Sequence, residues 1–535
     1  MGIRIRLLLP WVASVVSVTT LLAADADLRL VEAARRNDTQ SIQSLLKQRI
    51  NVNQTQPEGA TALMWAAHHD NAETADLLIN AGADVNAAND YGVAPLSIAC
   101  GNGSSAMVGL LLKAKANPNA AKQTGETPLM TCARRGNLDA VRLLLARGAN
   151  VNASENRHGQ TALMWAAAKN HHQVVRVLVE HGADVQAKTK RVKPWQLATY
   201  LGGAQDVVQG DYTPVFFAVQ QNALDAVEVL VGAGATLNEA AADGMTPLLM
   251  AAASGHEQLA LLLVDRGSDP NAADQNGVTA LHYAIQRGLA IVGGVRRRVG
   301  PNMRELVKAL LAHGADPNAR FMQLPLRARM IGQPRSGPEG ATPFHLAAAS
   351  NDIPLMRMLL AAGANPNLRT SDNTTALMLA TGIAAEARGR RSKEQEQNVL
   401  ESVQLLVELG NDVNAASTNE ERLINGKTAM HVATHLGMDS VIQFLAEQGA
   451  NVGAADKCGE TPLNVALGDP AQVGTVWERL PEGGHKSTAQ LLRKLGGDVP
   501  LPAPDVPCTT LGQIHYRYSS PLNKVVEAAK PGARE

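Results

Sequence analysis

Residues Asp243–Ala273, DGMTPLLMAAASGHEQLALLLVDRGSDPNAA, hold one complete structural unit. Thr246 suits an N-cap, and Pro247 suits the first helical position, where its missing N–H is no loss. Leu248, Ala251 and Ala252 recur at helical spacing on one face. Gly255 breaks the chain after about two turns. A second helix carries Leu259, Leu262 and Leu263 inward, and Gly267 ends it as a helix-terminating glycine should. Asp-Pro-Asn and the next Asp-x-x-Gly supply turn chemistry for an extended, hairpin-like loop. The unit is therefore two short helices and a finger.

The same block returns along the chain. Its threonine slot falls at Thr61, Ala94, Thr127, Thr161, Thr213, Thr246, Thr279, Thr342, Thr375, Thr428 and Thr461. Successive steps are 33, 33, 34, 52, 33, 33, 63, 33, 53 and 33 residues, so each long step is 33 plus an insertion. A fixed period of this size means a stacked solenoid, in which no unit buries its apolar face alone. Alanine pairs such as Ala66–Ala67, Ala166–Ala167 and Ala347–Ala348 fit helices pressed close together. The expected class is an all-α solenoid over residues 25–498, about twelve repeats, followed by a tail over 499–535. Aromatic residues are only 3% of the chain, as short, tightly stacked helices require. Lys plus Arg equals Asp plus Glu at 49 each, so no global field points to nucleic acid.

This pattern resembles the ankyrin repeat, G-x-T-P-L-H-x-A-A-x-x-G-H, an apolar helix, then G-A-D-x-N. The motif stands nearly intact in Gly125–Gly136 with Gly148–Asn152, and in Gly340–Ala348 with Gly363–Asn367. The resemblance implies two antiparallel helices per repeat, a projecting finger loop and a single curved array that binds other proteins. It places partner contacts just before the threonine and just after the alanine pair. Here those slots hold Glu58, His68, His69, Tyr91, Arg134, Arg135, His158, Lys169, Gln220, Gln221, Gln286 and Arg287. They are chemically mixed, which favours one shaped partner over a polymer. The first unit departs from the motif, with Leu28 in the threonine slot, while Ala33–Ala34 and Leu45–Leu46 keep a core; a terminal cap looks like this.

Residues 1–24 differ from everything after them. Arg4 and Arg6 precede an uncharged run, Leu7–Val18, and small residues at Ala23 and Ala24. This is the layout of a secretory signal peptide, and the alternative is an uncleaved anchor helix; Pro10 and the short run favour cleavage. The expectation is a protein exported to the periplasm or the exterior of a bacterial cell, without stable membrane insertion once processed.

Insertions fall near residues 188–211, 289–303, 320–340, 382–396 and 470–485. The span from threonine to the glycine after the second helix is 21 residues in regular units and 35 after Thr279, Thr375 and Thr461. Three enlarged loops between helices are expected there, along one edge of the stack. Several inserts are basic. Arg296, Arg297 and Arg298 stand together; Arg320, Arg327, Arg329 and Arg335 face only Glu339; Arg388, Arg390, Arg391 and Lys393 form a third group; Lys188, Lys190, Arg191 and Lys193 open the first long finger. They read either as solvated loops or as a basic rim for an anionic partner surface. No aromatic residues interleave the clusters to make a nucleic-acid stacking platform. Trp195-Gln-Leu and Gln323-Leu-Pro-Leu put apolar residues in these loops as well.

Catalytic and cofactor signatures are missing from the chain: no metal-ligand cysteine spacing, H-E-x-x-H, G-x-S-x-G or phosphate loop occurs. Cys100 and Cys132, in the alanine slots of adjacent units, read as small core residues. Cys458, at a fingertip, and Cys508, in the proline-rich tail, are candidates for a disulfide closing about 50 residues, worth roughly 4 kcal/mol in the chain-entropy model. His68–His69 and His171–His172 lie about 30 Å apart at one helix diameter per unit and share no ion. His282, His345 and His431 fit hydrogen bonding to loop backbone. Trp65 and Trp165, in one motif slot, read as core before they read as a ligand wall. The reading is a monomeric, non-enzymatic, cofactor-free scaffold with a protein partner of unknown identity. The alternative is a regulatory or inhibitory subunit of an exported enzyme that docks through its basic insertions.

Overall fold

The computed structural model describes residues 27–191, 210–285, 303–322, 339–382, 392–418, 425–457, 459–467 and 485–497. They belong to two compact units, Met1–Asn150 and Val151–Glu535. Each unit is built from helix pairs, and no strand longer than an isolated bridge occurs among the described residues. In the first unit the pairs are Arg29–Arg35 with Thr39–Lys47, Ala62–His68 with Ala72–Asn80, Pro95–Asn102 with Ser105–Lys113, and Pro128–Arg135 with Leu138–Ala146. In the second unit the pattern continues from Ala162–Ala167 with His172–Glu180 to Pro462–Leu467 with Lys486–Lys494.

Local chemistry sets each pair. The hydroxyl of Thr246 accepts from the N–H of Leu249, Pro247 opens the helix, and Gly255 closes it in the left-handed region at φ 74°. That turn must have positive φ, and Asn222 and Asn351 take it in other pairs at φ 55° and 54°, where a short polar side chain tolerates it. Leu248, Ala251, Ala252, Leu259 and Leu263 are buried, joined by Ala260 and Val264. Leu262 is only half-buried, because it lies at the edge of the inward stripe. In the opening pair Ile42 is buried, but Leu45 and Leu46 are half-buried. Leu45 lines an open surface cleft with Leu28 and Ala33.

The finger loops carry a ladder that locks each repeat to the next. Asn271 donates its side-chain amide to the Gly314 carbonyl (2.8 Å) and accepts from the Asp316 N–H (2.7 Å). Asn53, Asn86 and Asn119 do the same in the first unit, and Asn152, Asn238 and Asn318 in the second. Across the first long finger Gln186 takes the role, reaching the Gly234 carbonyl and the Thr236 N–H. The partners there are 48 and 50 residues apart, so the insertion leaves the stacking register intact. The ladder changes at Asn367, which donates to the Leu409 carbonyl; the next repeat puts a buried Asn411, not alanine, beside it.

One enlarged loop is in part a helix. The second helix of the Thr375 repeat runs Lys393–Glu408, 16 residues against nine in regular pairs. Ser392 and Gln395 form a capping box, and the Glu396 carboxylate accepts from the N–H (2.8 Å) and hydroxyl (2.6 Å) of Ser440. Most of the other inserted residues lie outside the described ones.

Cys100 and Cys132 are more than small core residues: they form a disulfide. Cys100 occupies the second alanine position of its helix, and Cys132 occupies the first alanine position of the next. That diagonal pair sits where neighbouring first helices come closest, with Cα atoms 4.7 Å apart. Cys458 and Cys508 lie outside the described residues.

Candidate functional site

The slot four residues after the threonine faces outward from the alanine pair. In the Thr161, Thr213 and Thr246 repeats it holds Trp165, Phe217 and Met250, all half-buried. Their three first helices are successive in the second unit and pack side by side. Trp165 is thus not a fully buried core residue: its indole N–H reaches the Gln160 side chain (2.6 Å) at the rim of the stripe. The residues before each threonine are Gln160, Tyr212 and Met245, also half-buried. The Tyr212 hydroxyl donates to Asp243 (2.8 Å), and its ring packs edge-on to Phe216 at 5.4 Å. After the alanine pairs come Lys169, Gln220 and Gln221, all exposed. The result is an uncharged aromatic and thioether stripe edged by amides and one lysine. Phe217, Met250 and Met245 escaped sequence reasoning, because slot position alone does not report how far a large side chain is covered.

The corresponding surface of the first unit has a different chemistry. Trp65 is again half-buried, with its N–H on Gln56 (3.0 Å), which in turn donates to Glu32 (2.9 Å). The His69 ring stacks on Trp65 at 6.2 Å, and His68 meets both rings edge-on. His69 Nε2 is engaged by the Arg35 carbonyl (2.9 Å), so this pair is held as packing. Glu126 accepts from Thr131 (2.7 Å) and pairs with Lys122 (3.0 Å) and Arg134 (3.5 Å). Glu58, Tyr91 and Arg135 are exposed, Tyr91 at 66%. This surface is charged and mixed. No group of metal-binding side chains occurs among the described residues.

The fingers are held from within. The Glu155 carboxylate accepts from the N–H groups of Arg157 (2.7 Å), His158 (2.6 Å) and Gln160 (3.0 Å). Burial pushes its pKa up, but those three donors outweigh it and hold the carboxyl below its usual range. His158 is half-buried, and its carbonyl accepts from Lys190 N–H. The basic start of the long finger is largely neutralised: Lys188 pairs with Glu239, Arg191 pairs with Asp211 (2.6 Å), and the Lys190 ammonium donates to the Asn156 carbonyl (2.9 Å). Gln286, Arg287, Arg296, Arg297, Arg298, Arg388, Arg390 and Arg391 lie outside the described residues.

Buried histidines sit in three later repeats of the second unit. His345 Nδ1 accepts from the N–H (3.1 Å) and hydroxyl (2.8 Å) of Thr342, and Nε2 meets the Leu368 carbonyl at 3.1 Å. His431 repeats this with Thr428 and the Glu460 carbonyl. His282 caps Thr279 likewise and packs edge-on to Phe321. Burial lowers each pKa to about 4, so these rings are neutral structural parts. Beside His431, Lys427 is buried between Asp456 (3.1 Å) and Glu460 (2.5 Å).

Two family models agree with this anatomy. The family model described as ankyrin repeats (3 copies) matches residues 30–122, 111–189, 215–321 and 394–473, and that described as ankyrin repeats (many copies) matches 333–380. The E3 ubiquitin-protein ligase KEG of Arabidopsis thaliana is 25% identical over 330 residues, 48% of this chain and 18% of that protein. Rabankyrin-5 of Mus musculus is 26% identical over 271 residues, 43% of this chain and 21% of its own length. The chain thus spans about a fifth of the length of these curated relatives. The crystal structure of the human ASB11 ankyrin repeat domain aligns with TM-score 0.37 and 27% identity, covering 44% of this chain and 96% of that one. Repeats of this kind imply a protein-interaction scaffold. With its helix pairs, its capped threonines and family models matching most of its length, the chain belongs to the ankyrin-repeat family.

Proposed function

We propose that this protein is a non-enzymatic scaffold of the cell envelope or exterior that holds a protein partner against its fingers and first helices. The observation that carries the reading is the stripe Trp165–Phe217–Met250 with Tyr212 and Met245. Large, half-covered aromatic and thioether side chains beside amides are the composition of protein-binding surfaces. An uncharged floor suits an apolar segment of another protein better than a polyanion. Export rests on the amino-terminal segment, Arg4 and Arg6 followed by Leu7–Val18 and Ala23–Ala24. The Cys100–Cys132 bond supports an oxidising compartment.

The test is affinity capture from the envelope fraction of the source cell, with the wild type and Trp165→Ala/Phe217→Ala run side by side. One protein should be retained by the wild type and lost from the variant while Arg296→Ser/Arg297→Ser/Arg298→Ser keeps it. The reverse pattern would favour a regulatory subunit that docks through its basic insertions. Equal retention by all three proteins would defeat the stripe as the binding surface.

A further inference from the structure

We propose that the Cys100–Cys132 bond is a permanent inter-repeat staple, installed while the chain folds and not a reversible redox switch. The idea rests on the exported reading above for the compartment, but its geometry is independent of it. The bond joins first helices of consecutive repeats, Pro95–Asn102 and Pro128–Arg135, inside the first unit. In the same two positions other repeats carry alanine: Ala66–Ala67, Ala166–Ala167, Ala251–Ala252 and Ala347–Ala348. Alanine is needed there because the backbones approach closely, and that approach is what brings two cysteines at diagonal positions within bonding reach.

Both cysteines are 0% exposed. Around them Leu96, Ala99, Leu129 and Ala133 are buried as well, so no channel admits an attacking thiol. Exchange needs collinear access of a thiolate to a sulfur, and the stacked helices forbid it. The bond must then form before the two helices seat. One cysteine thiolate attacks the disulfide of a protein dithiol–disulfide carrier, giving a mixed disulfide. The second thiolate displaces the carrier, which leaves with both electrons as a dithiol. The two cysteine protons pass to solvent or to the carrier. Once the repeats stack, the cross-link is sealed, and a reductant reaches it only when the pair of repeats opens.

The experiment uses the full-length exported protein, alkylated unreduced in denaturant and mapped by peptide mass spectrometry. Peptides holding Cys100 and Cys132 should appear joined, and alkyl groups on both would overturn the staple. Next, dithiothreitol is applied in native buffer and in urea. Reduction of this bond should be on the order of a hundredfold slower in native buffer, because opening precedes attack. Equal rates would show a switch instead. Cys100→Ala/Cys132→Ala restores the residue of the other repeats, so it should fold with an unchanged far-UV spectrum and a lower urea midpoint. The same mass spectrum reads the amino terminus. A processed terminus near Ala24 with free thiols defeats the staple alone, while an intact Met1 with the bond joined defeats only the export reading.

Discussion

Replacing His345 by asparagine should remove part of the acid sensitivity of the second unit. The folded ring is neutral, since Nδ1 accepts from Thr342 and Nε2 donates to Leu368. Burial holds its pKa at about 4, against an ordinary value near 6.5 in the unfolded chain. A depressed histidine pKa means that the unfolded state binds more protons between these values, so stability rises with pH through the window. The contribution is fully present above 6.5 and is lost as pH falls toward 4. Linkage makes the loss about 2 kcal/mol at pH 5 and about 3 kcal/mol below pH 4. The chain supplies the control residue itself: in the Thr461 repeat Asn464 fills this slot and accepts from the Thr461 N–H at 3.1 Å. His345→Asn should cost about 1 kcal/mol at pH 7.5, for the lost bond to Leu368. Its stability should then fall between pH 7.5 and pH 5 by about 2 kcal/mol less than that of the wild type. Urea unfolding followed by circular dichroism at both pH values measures this difference of differences. If wild type and variant lose the same amount, the buried neutral histidine is not a source of acid sensitivity.

The remaining expectations concern single contacts. Asn271→Ala removes two inter-repeat hydrogen bonds and should destabilise the second unit by roughly 1–3 kcal/mol, with faster amide exchange at Asp316 as the local readout. Lys427→Met strands Asp456 and Glu460 beneath the surface and should cost about 3–5 kcal/mol at neutral pH, an effect that Lys427→Met/Asp456→Leu/Glu460→Gln relieves in urea titrations. Cys100→Ala/Cys132→Ala should lower stability by about 4 kcal/mol through the 32-residue separation that the bond closes, read as a lower urea midpoint than that of the unreduced wild type.

How much was legible depended on the range of the interaction. The helix pairs, their threonine caps and their turns follow from residues within four positions of each other, so Thr246, Pro247 and Gly255 read correctly from the sequence alone. The period then implied stacking, since two short helices cannot bury Leu248 and Leu259 by themselves. Contacts between repeats were another matter. Asp-Pro-Asn read as a local turn, yet its Asn271 serves the next repeat, and Gln186 takes the same role across an insertion. Cys100 and Cys132 read as alanine substitutes because slot counting aligns equal positions, while neighbouring helices touch diagonally. Half of the residues inserted after Thr375 lengthen a helix, which no loop count reveals. Trp65 and Trp165 read as core, and coverage by neighbours leaves both half open. The unit and its repetition are written in the residues, because propensity and periodicity act locally. Which side chains bridge, cross-link or line a surface emerges from packing, because it depends on the few ångströms that separate one repeat from the next.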